Sequence, residues 1–169
     1  KLPIVLVILT HANENFVLGS SAFYDLGINI GAHPSTIELI EKQCGSCLAS
    51  LRAKLEIKMM GTRLITPNVS WSKNTSLKIG GTQVDLLHFG TLKTAGDLMV
   101  FHPESQTLFS GGVISSEHVP NIKDGDLDNW LTVISKIKAL NIIKIVPAFG
   151  KIISDVSNLD TEKYLLELR

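Results

Sequence analysis

The chain is 169 residues long and 44% apolar, enough for one buried core, so it reads as a single domain over 1–169 rather than a disordered tail. Its 16 Lys and Arg balance 16 Asp and Glu, which excludes a net field drawing it to nucleic acid or to an anionic membrane. Partners have to be recognised by shape or local chemistry.

Leu2 to Leu9, with Ile4, Val5, Val7 and Ile8, is a nearly continuous apolar run, the pattern of a strand buried on both faces. It is too short to span a bilayer and has no signal-peptide cleavage pattern. Phe16 to Leu26 has helical spacing and stops at Gly27, and Ile28 to Ala32 reads as a short strand. Pro34 opens a long helix with Ile37, Ile40, Leu48 and Leu51 on one side, running past Arg52 toward Met59. Gly61 to Ser76 is polar and irregular, a surface connection with room for one short strand; its sequons at Asn68 and Asn74 read as chance occurrences. Leu77 to Ile79 and Thr82 to Phe89 flank Gly80-Gly81 as a hairpin, and strands follow at Leu98 to Phe101 and Thr107 to Ser110. Asp124-Gly125-Asp126 caps a helix over Leu127 to Leu140, with Trp130, Val133, Ile134, Ile137 and Leu140 as its apolar stripe. Ile142 to Val146 is a last buried strand, Pro147 to Gly150 its exit loop, and Leu159 to Leu168 a closing helix. Alternating strands and helices predict a layered α/β domain.

Cys44 and Cys47 form Cys-Gly-Ser-Cys, open to three readings: a redox pair, half of a metal site, or packing thiols. Zinc needs a second pair, which the chain lacks. Dithiol exchange favours a helix N-terminus, whereas Cys44 falls well inside the helix opened by Pro34, so packing or a local disulfide is preferred over redox chemistry.

Residues 10 to 19, Thr-His-Ala-Asn-Glu-Asn-Phe-Val-Leu-Gly, resemble the metal-binding motif T-H-x-H-x-D-H-x-x-G, with Asn13, Asn15 and Phe16 replacing a histidine, an aspartate and a histidine. His88 to Asp97 is similar to H-x-G-x-x-H-T-x-G-D, with Lys93 at the ligand histidine. Leu108 to Gly112 is similar to L-F-x-G-D, with Gly112 at the carboxylate, and Val146 to Gly150 to V-P-G-H-G, with Phe149 at the histidine. Together these segments resemble the metallo-β-lactamase fold superfamily. Cys44 to Leu51, Gly61-Thr62-Arg63 and Asp124 to Leu131 are similar to its quinoprotein relay system zinc metallohydrolase branch.

The resemblance implies an αββα sandwich of two similar halves, with zinc held at one edge. It also implies an association with quinoprotein dehydrogenases in the bacterial periplasm. The first strand leads directly into the degenerate motif, so strands expected upstream are missing from this sequence. Removal of a segment is the favoured explanation; the alternatives are natural truncation, or a sheet edge covered by another chain or a second copy.

Of the seven positions that the resemblance assigns to two metals (11, 13, 15, 16, 93, 112 and 149), only His11 keeps a ligating side chain. The expected outcome is a catalytically silent binding or accessory protein with no cofactor. In the sharper form of that expectation, Phe16 and Phe149 fill the old cavity and Lys93 stands in for the cation, with Asp97 the nearest partner in sequence. The competing view is a drifted, exposed loop. Asp97 is expected to brace its loop, and His33, His102 and His118 to have surface or capping roles. The alternatives are a metal-dependent hydrolase with a rebuilt or single-metal zinc site around His11, and a thiol redox module at Cys44 and Cys47.

Overall fold

The computed structural model describes residues 2–169, which divide into two compact units, one ending at Trp71 and the other spanning Ser72–Arg169. In the first, β1 (Leu6–Ile8), β2 (Asn29–Ala32) and β3 (Val69–Ser70) form a parallel sheet in that order. The opening strand is shorter than expected and is not buried on both faces: Leu2, Ile4 and Val5 are exposed, and β1 is half-buried and pairs with β2 alone. An apolar run by itself does not separate a doubly covered strand from one with a single neighbour.

The helix expected over 16–26 is instead α1 (Glu14–Val17), a 3₁₀ turn at Leu18–Ser20, and α2 (Ser21–Tyr24). The Ser20 and Ser21 hydroxyls donate to the carbonyls of Val17 and Leu18, the local side-chain bonding that competes with a regular helix. Gly27, at φ 76°, turns the chain into β2.

α3 (Pro34–Leu55) begins with Pro34 at its first position and the His33 side chain accepting from the Ser35 N–H. It ends four residues before Met59, where Glu56 takes φ 44° and a 3₁₀ turn follows. Its buried residues are Thr36, Ile40, Cys44 and Leu48, and Ile40 and Cys44 join Leu9, Val17, Ile30, Ala32 and Ile65 in one core. The Asn68 side chain accepts from Ile30 N and donates to Asn29, holding β3 against β2.

In the second unit β4 (Thr75–Ile79), β5 (Thr82–Leu87), β6 (Met99–His102), β7 (Thr107–Gly111) and β8 (Lys144–Pro147) form a sheet in chain order, antiparallel until β8 joins β7 in parallel. Gly80 and Gly81 both take positive φ, as a two-residue hairpin turn demands. α4 (Leu127–Lys138) buries Trp130, Leu131, Val133, Ile134 and Ile137, each fully buried aliphatic contributing about 1.5–3 kcal/mol. It stops short of Leu140, which is exposed and outside the stripe. α5 (Asp160–Glu167) adds Leu165, and Leu159 at its N-cap is fully buried in the same core. Among the described residues no helix is long and apolar enough to cross a membrane.

Candidate functional site

In the first unit, the loop after β1 and the α1 helix that follows it carry four of the singled-out residues. His11 is buried and its Nδ1 lies 3.0 Å from the Thr10 hydroxyl. Asn13 is the N-cap of α1, its amide oxygen accepting from the Asn15 N–H at 3.0 Å, while Asn15 itself is exposed. Phe16 is exposed too, with its ring tilted against His11 at a centroid distance of 5.4 Å. The motif therefore gives its unit a helix cap and a ring contact.

In the second unit, three exit loops are pinned by side chains that leave other groups to face outward. The loop after β5 is held at one end by Asp97, which is buried. Asp97 Oδ2 accepts from the Lys93 and Thr94 N–H groups at 2.7 Å each, and Oδ1 accepts from the Thr94 hydroxyl at 2.8 Å. Burial pushes the Asp97 carboxyl above the ordinary carboxylate range, while its bonds to Thr94 and Lys93 and the Lys93 charge pull it back. Farther along, the Asn129 amide of α4 donates to the carbonyls of Phe89 and Thr91 at 2.9 Å each. The buried Trp130 indole donates to Val113 O at 2.9 Å, fixing the segment after β7. Gly112 is buried there, next to Gly111 at φ 56°.

The loop after β8 is clamped through Ser116, whose N–H donates to Phe149 O at 3.1 Å. Gly150, at φ 91°, approaches so closely that a Cβ would lie 1.7 Å from Ser116 O. This clamp presents the half-buried Phe149 ring, with Lys93 Nζ 5.3 Å from its centroid and the His118 imidazole stacked on it at 4.8 Å and 20°. Burial holds the Lys93 ammonium below the usual lysine range, with Asp97 opposing the shift.

Lys93, Asp97 and Phe149 thus come together, with Asp97 bonding to the Lys93 main chain. His118 joins them without a signal in the sequence, as it lies in a loop 31 residues before Phe149. Asn129, whose amide grips the loop after β5, had no predicted role. His33 caps α3, and His102 accepts from Ser105 N in a turn. Cys44 and Cys47 are free thiols in the middle of an unbroken α3; burial, then Cys47 and Glu14, push the Cys44 thiol up, opposite to what an attacking thiolate needs.

No family profile matches the chain. A metallo-β-lactamase type 2 from Bacillus sp. (strain 170) is 26% identical over 151 residues, covering 86% of this chain. The chain spans about half, 51%, of that relative's length. Among solved structures, a metallo-β-lactamase from Pontibacter korlensis superposes with TM-score 0.76 at 21% identity, over 97% of this chain and 70% of that one. Metallo-β-lactamase IND-7 gives TM-score 0.72 at 22% identity, over 99% of this chain and 68% of that one. FIM-1 from Pseudomonas aeruginosa, in its mono-zinc form, gives 0.73 at 18%, over 98% and 68%. These strands, helices and exit loops are a mixed α/β arrangement with the fold of the metallo-β-lactamases. The likeness to these solved structures extends over nearly the whole chain and is a likeness of fold.

Zinc, which that fold implies, needs three or four imidazole, thiolate or carboxylate donors. Among the described residues no three His, Cys, Asp or Glu side chains are grouped to hold a metal ion. Asn13 uses its oxygen as a helix cap, Asp97 spends both oxygens on its own loop, and Lys93 brings a positive charge. The residues present do not fit the metal.

Proposed function

We propose that this chain is a catalytically silent member of its fold superfamily, acting as a binding or accessory protein. The reading is carried by Lys93: its main chain is pinned by Asp97 and its ammonium sits over Phe149. A fixed cation of the protein's own repels a divalent ion. An association with a periplasmic quinoprotein dehydrogenase rests on the motif resemblance and is tested by co-purification with such an enzyme.

The competing reading, a hydrolase with a single or rebuilt zinc site, draws on the buried imidazole of His11. One measurement decides between them. Elemental analysis of protein produced in zinc-supplemented medium and purified without chelator is expected to find only trace zinc. Stoichiometric zinc lost on His11→Ala overturns the silent reading.

A further inference from the structure

Lys93 is a half-buried ammonium over the Phe149 ring. None of the ion pairs among the described residues includes it, and no described side chain or carbonyl accepts a hydrogen bond from its Nζ. The nearest carboxylate in sequence, Asp97, is occupied by two N–H groups and a hydroxyl, so it contributes field rather than a direct contact. A lysine has three N–H donors, and removing them from water without acceptors is unfavourable.

We infer that Lys93, Phe149 and His118 form a receptor for a small organic carboxylate. Phe149 separates this arrangement from a bare surface lysine, because its ring centroid lies 5.3 Å from Lys93 Nζ and 4.8 Å from the centroid of the His118 imidazole. The carboxylate accepts from the Lys93 ammonium, and the organic body lies against the half-buried edge of Phe149. His118 holds the ring from its stacked position and adds a polar N–H at the rim, being exposed itself.

Charge matching selects the ligand class. One ammonium neutralises a monoanion, and a charge-assisted N–H···O bond to a carboxylate is about twice as strong as a neutral one. A phosphate dianion needs additional donors, such as the N–H groups of a helix N-terminus, and in α4 the Asn129 N–H is taken by its Asp126 cap. The inference rests on the proposed absence of zinc next to Lys93, since a bound metal would compete for the same anion.

The full chain is titrated with sodium benzoate, and with benzamide as the uncharged twin, while the NMR resonances of Lys93, His118 and Phe149 are followed. Zinc content is measured on the same sample. Benzoate is expected to produce saturable shifts centred on these three residues, and benzamide none. Lys93→Gln is expected to weaken benzoate binding by about tenfold or more, and Lys93→Arg to retain it within about threefold. The receptor is overturned if benzoate and benzamide act alike, if Lys93→Gln binds benzoate as well as the wild type, or if inorganic phosphate binds the same residues more tightly. Should Lys93→Gln fail to fold, the benzamide and phosphate comparisons on wild-type protein still decide. Zinc in the sample overturns the silent reading, whereas unresponsive zinc-free protein overturns the receptor alone.

Discussion

Asp97 and Lys93 are four residues apart and carry opposite charges, yet they meet through a main-chain N–H rather than side chain to side chain. The carboxylate is a structural acceptor for three donors, so its removal is expected to cost more than its neutralisation. Asp97→Ala strands two backbone N–H groups and a hydroxyl and should destabilise by about 2–4 kcal/mol, whereas Asp97→Asn keeps an oxygen for both N–H groups and should cost about 1 kcal/mol or less. Urea denaturation of both variants measures the difference. Lys93 makes a prediction of opposite character. Its folded pKa is lowered, so as pH rises from neutral toward 10.5 the folded protein sheds this proton before the unfolded chain does. The unfolded state then holds more protons, and stability rises with pH. Wild-type protein is expected to gain stability relative to Lys93→Met across that window, as read from paired urea melts at successive pH values. At this scale the bracing role of Asp97 was legible, because an aspartate after Thr-Ala-Gly has N–H donors within local reach. The stacking of His118 was not, because loop residues far apart in sequence carry no periodicity to link them.

Elements were legible wherever one period dominated. α4 shows its apolar stripe, its Asp126 cap and its closing lysines, and it forms as the pattern predicts up to Lys138. The Gly80-Gly81 hairpin is equally plain, with β4 and β5 meeting at Ile79 and Thr82. The segment after His11 was misread as one helix because Ser20 and Ser21 turn their hydroxyls onto the backbone, which hydrophobic spacing does not record. Two glycines test the local account with effects of opposite sign. Gly150→Ala places a Cβ against the Ser116 carbonyl at positive φ and should destabilise by about 2–4 kcal/mol. Gly45→Ala, inside α3 with open space around the added methyl, should stabilise by about 0.5–1 kcal/mol. Thermal melts of the two variants are expected to shift in opposite directions.

Taken over the whole molecule, α/β alternation and four separated motif frames pointed to the fold that the structural neighbours share. The division into two compact units falls inside the polar, irregular stretch from Gly61 to Ser76, whose composition gives a surface connection but does not tell a loop within one unit from a boundary between two. In the second unit the exit loops are held by main-chain and α4 contacts rather than by the outward-facing side chains they present. Asn129 illustrates this. Its amide grips two carbonyls of the loop after β5 from behind, so the loop keeps its path whichever side chain stands at position 93. Randomising positions 93, 118 and 149 together should therefore produce libraries rich in folded members, making this chain a practical starting framework for directed evolution of new small-molecule sensors.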